Sequence, residues 1–210
     1  MNDMNLWVVV PVRSLRDGKR RLAPVLDAGQ RAELVQWLLA HTLNQAAEFP
    51  GLIRTLVVTA CPEVSALVSN LGIHVLEEAG PGGLNSAVRE AQARVVALGG
   101  SRMLVVSCDL PFLQPHDLRQ LADAASDGVL AVAPDRTAKG TNAMCLPVSR
   151  AFDFAFGPDS FSRHCERAEM LDLECVIVRR PGLAFDVDLP LDLSELHGVI
   201  PLLPPRVSTP

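Results

Sequence analysis

The chain has 210 residues and a formal net charge of −5, with 49% hydrophobic and 20% charged residues. That composition excludes a disordered chain, and the acidic balance argues against a nucleic-acid partner, whose phosphates require a basic face. No apolar run approaches the roughly 18 residues that span a bilayer, and Met1 to Asn5 carries no basic leader region, so a cytoplasmic location with no membrane partner is expected.

Leu6 to Val12 is a continuous apolar, β-branched run, the pattern of a strand covered on both faces. An arginine-rich polar loop follows. Asp27 then caps a helix predicted over about 28–48, with Leu34, Val35, Leu38 and Leu39 at helical spacing. Arg54 to Thr59 reads as a strand, Pro62 opens a helix to about Leu71, and Ile73 to Leu76 is a short strand. The breaker-rich loop Glu77 to Gly83 leads into a helix over Leu84 to Leu98 that ends at Gly99-Gly100. The strand Met103 to Ser107 stops at Cys108-Asp109-Leu110-Pro111, and a helix restarts near Pro115. Val129 to Ala133 and Asn142 to Leu146 are strands separated by the polar loop Pro134 to Thr141. A helix from about Pro158 to Leu171, a strand over Cys175 to Val178, the extended Phe185 to Asp188 and a short helix from Pro190 complete the body. Residues 201–210, with four prolines, read as a frayed tail behind one domain over 1–200.

Strands alternating with helices predict a three-layer α/β domain with a mostly parallel sheet. The five cysteines show no CxxC spacing, so they read as free thiols rather than disulfides or a zinc site. Two lysines, Lys19 and Lys139, stand against seventeen arginines, a bias read as compositional rather than mechanistic. In open α/β sheets ligands sit beyond the carboxyl ends of the strands, so the polar residues that follow strands matter most.

Four groups fall there. The loop Arg13-Ser14-Leu15-Arg16-Asp17-Gly18-Lys19-Arg20-Arg21 carries five cations that could clamp a polyphosphate, without Walker A spacing. Gly80 to Ala87 lets backbone approach a ligand at a helix start. Asp109 follows a central strand and is placed to bind a hard cation. Asp186 and Asp188, two apart in an extended segment, leave the same face and repel one another unless a cation or proton lies between them. Oxygen ligands favour Mg²⁺. Between these groups, Gly140-Thr141-Asn142 and the run Phe156 to His164 offer hydroxyl donors and the Gly157 amide beside Ser160 at a helix start. His164 reads as structural, and His41, His74, His116 and His197 show no ligand spacing.

With these motifs the chain resembles the guanylyltransferases of coenzyme F420 biosynthesis, the 2-phospho-L-lactate guanylyltransferase family. The resemblance runs from Trp7 to about Leu193. It is carried most by Gly140-Thr141-Asn142, by Phe156 to His164, and by Asp186-Val187-Asp188-Leu189-Pro190. It implies a Rossmann-like, glycosyltransferase-A-like nucleotidyltransferase domain. The implied reaction condenses GTP with a phosphorylated three-carbon acid (2-phospho-L-lactate, phosphoenolpyruvate or 3-phospho-D-glycerate) and releases pyrophosphate. By position it implies Asp109, Asp186 and Asp188 as catalytic metal ligands for Mg²⁺, with Thr141, Gly157 and Ser160 on the acid. Arg13, Ser14, Lys19 and Arg21 would take the GTP phosphates, Lys19 also serving catalysis, and Asn85 the guanine or ribose. This chain has Arg13 where the family pattern has lysine, and Arg20 where it has a small hydroxyl residue.

The arginine-rich composition leans toward a bacterial source and so toward phosphoenolpyruvate or 3-phospho-D-glycerate. Oligomeric state stays open, a homodimer being one option, and a labile product suggests hand-off to the next enzyme of the F420 pathway. Two other readings stay open at this point: a molybdopterin- or sugar-phosphate-type nucleotidyltransferase of the same fold, and a non-catalytic nucleotide-binding module.

Overall fold

The first strand, β1 (Leu6–Pro11), is buried along almost its whole length because it has protein on both faces. Leu6, Val8 and Val10 point into one core, and Trp7 and Val9 into the other. That alternation is the physical meaning of an unbroken apolar run. The computed structural model describes residues 5–15, 18–78 and 82–196.

Six further strands join it: β2 (Thr55–Thr59), β3 (His74–Glu77), β4 (Arg102–Val106), β5 (Val129–Pro134), β6 (Thr141–Pro147) and β7 (Glu174–Ile177). They form one sheet in the order β3-β2-β1-β4-β6-β5-β7. Pairing is parallel throughout except for β6, which runs antiparallel to both β4 and β5. The reason is local: the β5–β6 connection spans only Asp135 to Gly140, and a parallel return needs a crossover of roughly a dozen residues or more.

Helices α1 (Ala28–Glu48), α2 (Pro62–Ser69) and α4 (Pro115–Ala124) cover one face, and α3 (Gly83–Ala97) and α5 (Ser160–Met170) the other. The start of α1 is fixed by a capping box, in which Asp27 accepts from the Gln30 amide at 2.9 Å and the Gln30 side chain accepts from the Asp27 amide at 3.0 Å. The predicted helix over Pro158 to Leu171 begins at Ser160, because Asp159 adopts a left-handed conformation with φ 54°. A four-residue helix α6 (Pro181–Ala184) has no counterpart in the sequence reading, and the helix expected from Pro190 is a 3-10 turn at Asp192–Leu196. The tail at 201–210 lies outside the described residues. All five cysteines are free, though Cys165 and Cys175 bring their sulfurs to 2.7 Å. Among the described residues no helix is long and apolar enough to cross a membrane.

The chain leaves β1 toward β2 on one side, while β4 lies on the other. The gap between the carboxyl ends of β1 and β4 is therefore the switch point of the sheet, where a ligand crevice is expected. A third, small core lies beside it, formed by Leu22, Leu26, Leu34, Leu38, Val187 and Leu196. It fastens the loop after β1 to the Asp186–Asp188 segment.

Candidate active site

The loop after β1 is anchored at both ends. The Val12 amide still bonds the Val58 carbonyl at 2.8 Å. At the far end Leu22 is fully buried in the third core, a burial worth roughly 1.5–3 kcal/mol. Between them Lys19 sits in the left-handed region at φ 54°, which costs a non-glycine residue about 1–2 kcal/mol. Two ion pairs hold it there: Lys19 Nζ donates to Asp109 Oδ2 at 2.6 Å and to Asp188 Oδ1 at 2.9 Å. Arg21 Nη1 approaches Asp188 Oδ2 at 3.4 Å, but its side chain is 73% exposed, so this pair contributes little to stability.

Asp109 follows β4 directly. Its Oδ1 accepts from the Ser107 hydroxyl at 2.6 Å, and its carbonyl accepts from the Val187 amide at 3.2 Å. That backbone bond brings the Asp186–Asp188 segment alongside. Burial alone would raise the Asp109 carboxyl, yet the Lys19 ammonium, the Ser107 hydroxyl and its own amide hold it below the usual carboxylate range. Lys19 is raised in turn: burial works against its charge, and the charges of Asp109 and Asp188 outweigh it. Asp186 goes the other way. Burial and then the neighbouring charges of Asp109 and Asp188 push its carboxyl up.

A support not expected from the sequence holds this segment. Asp192, 4% exposed, accepts from the amides of Asp188 at 2.8 Å and Leu189 at 2.6 Å. Arg136 Nη2 bonds Asp192 Oδ1 at 2.7 Å and the Asp186 carbonyl at 3.1 Å. The only hint in the sequence is a further acid four positions after Asp188, beyond Pro190.

Two cavities open here, of about 780 and 650 Å³, both within the roughly 300–1,000 Å³ of small-molecule sites. Arg13, Ser14, Lys19, Arg20 and Asp109 line the first. Thr141, Gly157, Ser160, Lys139 and Asp186 line the second. Arg21, Leu84 and Asp188 line both and form their common wall. Arg16, the remaining cation of the first loop, lies outside the described residues. The two lysines dismissed above as composition each line one cavity, and Lys139 directly precedes the Gly140-Thr141 turn.

In the second cavity Gly157 has φ 126°, which a side chain would strain. Ser160 Oγ lies 3.3 Å from Thr141 Oγ1, and Thr141 Oγ1 lies 3.0 Å from His164 Nδ1. The Ala155 amide donates to His164 Nε2 at 3.0 Å. His164 is fully buried, and burial, with the charges of Arg167 and Arg163 behind it, lowers its pKa to about 4.

Asn85 requires a correction. It lines neither cavity. Its carboxamide is taken on both sides by Phe156, donating to the carbonyl at 3.1 Å and accepting from the amide at 2.7 Å. It braces the Phe156-Gly157-Pro158 loop, and both amide atoms are already committed to that backbone rather than turned toward a guanine or ribose.

Whether the three carboxylates fit a cation depends on Lys19. Its ammonium occupies the gap between Asp109 and Asp188 where an ion gripped by all three was expected. Among the described residues no three His, Cys, Asp or Glu side chains are close enough to hold an ion together. The Asp186 carboxyl is raised first by burial and then by the charges of Asp109 and Asp188, and Lys19 does not reach it. This donor set does not fit an all-protein cage. One or two of these carboxylates could hold magnesium only in company with phosphate oxygens and water, the way that ion is commonly held.

Residues 6–199 match the family model described as "Guanylyl transferase CofC like". A protein of Rubrobacter xylanophilus named phosphoenolpyruvate guanylyltransferase is 38% identical over 196 residues, covering 93% of this chain and 95% of the relative. One of the same name from Chloroflexus aggregans is 35% identical over 187 residues, covering 87% and 92%. Among solved structures, a putative nucleotide-diphospho-sugar transferase from Desulfovibrio desulfuricans superposes with a TM-score of 0.76 at 15% identity, covering 94% of this chain and 87% of its own. At that identity the likeness concerns the fold alone.

Proposed function

The chain belongs to the CofC-like guanylyl transferase family, and from that premise we propose that it joins GTP to a small phosphorylated acid, phosphoenolpyruvate being the first candidate. The observation that carries this reading is the pair of cavities with a common wall at Arg21, Leu84 and Asp188. A two-substrate transfer needs two sites that meet where the bond forms, and a single nucleotide-binding module needs only one.

In this reading the first cavity takes the triphosphate and the second the acid. A phosphate oxygen of the acid attacks the α-phosphorus of GTP. The new P–O bond forms as the bond to the β-phosphate breaks, and pyrophosphate carries the electron pair away. The attacking phosphate is already ionised at neutral pH, so no side chain need remove a proton. The obstacle is repulsion between anions. Arg13, Lys19, Arg20 and Arg21 lower it, and alignment of the attacking oxygen with the leaving group supplies the rest. Lys19 suits that task because its carboxylate partners keep it charged. Thr141, Ser160 and the Gly157 amide hold the acid, with Lys139 adding a cation on its side. Asp109, Asp186 and Asp188 would hold Mg²⁺ together with phosphate oxygens, supplying further neutralisation of phosphate charge. The reading assigns the step to coenzyme F420 biosynthesis.

The test is a screen of the four ribonucleoside triphosphates against phosphoenolpyruvate, 2-phospho-L-lactate and 3-phospho-D-glycerate, with pyrophosphate release as readout. The expected result is release with GTP and one of the acids, phosphoenolpyruvate foremost. Release with CTP and a sugar phosphate, and none with GTP and any acid, would overturn it.

A further inference from the structure

The mechanism above leaves the buried imidazole of His164 unused. His164 is fully buried, does not line either cavity, and packs edge-on to Phe156 at 4.8 Å between ring centroids. Its two ring nitrogens have fixed partners. The Ala155 backbone amide, 3.0 Å from Nε2, can only donate, so Nε2 carries a lone pair. A neutral imidazole with a bare Nε2 has its hydrogen on Nδ1, and Thr141 Oγ1 at 3.0 Å must accept it.

The consequence lies one bond further on. Thr141 and Ser160 hold two hydroxyl hydrogens between them, and only one can lie along the 3.3 Å line joining their oxygens. With Nδ1–H pointing at Thr141, neither hydroxyl can give its hydrogen to the histidine. Among the described residues no other acceptor takes the second hydrogen, and both side chains line the second cavity. We propose that His164 is a positioning residue that, by donating to Thr141, turns the Thr141–Ser160 pair into a fixed donor aimed at the anionic group of the acid. A reversed imidazole would let Thr141 donate to the ring and leave the pair without a spare hydrogen. The lowered pKa of His164 agrees with a ring that stays neutral across the working range.

This inference rests on the reading that the second cavity takes the acid, and the experiment separates the two. The Michaelis constants for phosphoenolpyruvate and for GTP are measured in the wild type, Thr141→Val, His164→Phe and the double variant. A donor lost from a charged ligand weakens its binding by about tenfold or more. Each single variant is expected to raise the acid constant by that factor and to leave the GTP constant within about twofold. The double variant is expected to be no worse than Thr141→Val alone, because His164 acts through that hydroxyl. Effects that multiply in full, or that fall equally on both substrates, would overturn the proposal. A second measurement needs no variant: nitrogen-15 NMR of the wild-type imidazole at neutral pH. Protonated Nδ1 and bare Nε2 are expected, and the opposite tautomer would overturn the proposal even if His164→Phe does not fold. A wild type that turns over none of the acids would sink the functional reading, while the tautomer would still decide the orientation of the hydroxyl pair.

Discussion

Lys19 and Asp109 lie ninety positions apart in the chain and are joined by a 2.6 Å ion pair. One arrives on the loop after β1 and the other at the end of β4, two parallel neighbours whose carboxyl ends form the switch point of the sheet. The same ammonium reaches Asp188 from a third part of the chain. The carboxylates are thus drawn together by a lysine, and each partner shifts the titration of the other toward the charged form.

Lys19→Met keeps the aliphatic stem and removes the charge. It leaves Asp109 and Asp188 facing one another with no ammonium between them. The Asp188 side chain is 41% exposed, so solvent relieves part of that penalty, and the expected loss of stability is about 1–3 kcal/mol. Turnover is expected to fall by about a hundredfold or more, since a donor to the transferring phosphates goes with it. Chemical denaturation and pyrophosphate release check the two effects separately.

Asp186→Asn should separate stability from function. Its carboxyl is burdened by burial and by the charges of Asp109 and Asp188, so neutralising it relieves the folded protein. In metal-free buffer the variant is expected to be more stable, read as a rise in Tm over the wild type. The expected turnover loss is again about a hundredfold or more. Adding Mg²⁺ with GTP should raise the Tm of the wild type more than that of the variant.

The acid limb of the stability curve should carry the signature of His164. Its folded pKa is about 4 against an ordinary 6.5, so between those values the unfolded chain binds a proton that the folded ring refuses. Stability is complete above pH 6.5 on this account and declines as pH falls toward 4, by on the order of 3 kcal/mol in total. Asp186 acts oppositely: its carboxyl is raised, so acid favours its folded form. The comparison is therefore wild type against His164→Gln, by urea denaturation at pH 7 and pH 5, and the variant is expected to lose less stability on acidification.

Asn85→Ala removes both bonds that brace Phe156 and leaves a backbone amide and a carbonyl unpaired. A stability loss of about 1–3 kcal/mol is expected. Because the braced loop carries Gly157 into the second cavity, the Michaelis constant for the acid should rise more than that for GTP. A larger effect on GTP would restore the nucleotide role that the sequence pattern suggested for this residue.

Much of the fold is legible in the sequence because it is written in local terms. The Asp27 cap, the apolar runs of β1 and β4 and the short β5–β6 connection each depend on residues close together in the chain. The position of Asp109 after a strand is legible for the same reason, since strand ends line one edge of the sheet, whereas Asp186 and Asp188 follow the short helix α6 rather than a strand. What the sequence does not show is side-chain partnership at a distance. Asn85 and Phe156 are 71 residues apart, and a loop asparagine that braces a backbone looks the same as one that reads a base. Lys139 is hidden by the arginine-rich composition, and Arg136 and Asp192 give no signal beyond their charges. The bridging of two carboxylates by Lys19 depends on contacts between distant segments, among them the shared core of Leu22 and Val187 and the bond from the Val187 amide to the Asp109 carbonyl.

The division of the two cavities between two substrates is tested most directly by one kinetic comparison, Arg13→Ala against Thr141→Val, with both Michaelis constants measured for each. Arg13 lines the first cavity alone and Thr141 the second alone. The account expects Arg13→Ala to raise the constant for GTP by about tenfold while sparing the acid, and Thr141→Val to do the reverse. If both substitutions weaken the same substrate, the two cavities do not serve two ligands and the account is wrong.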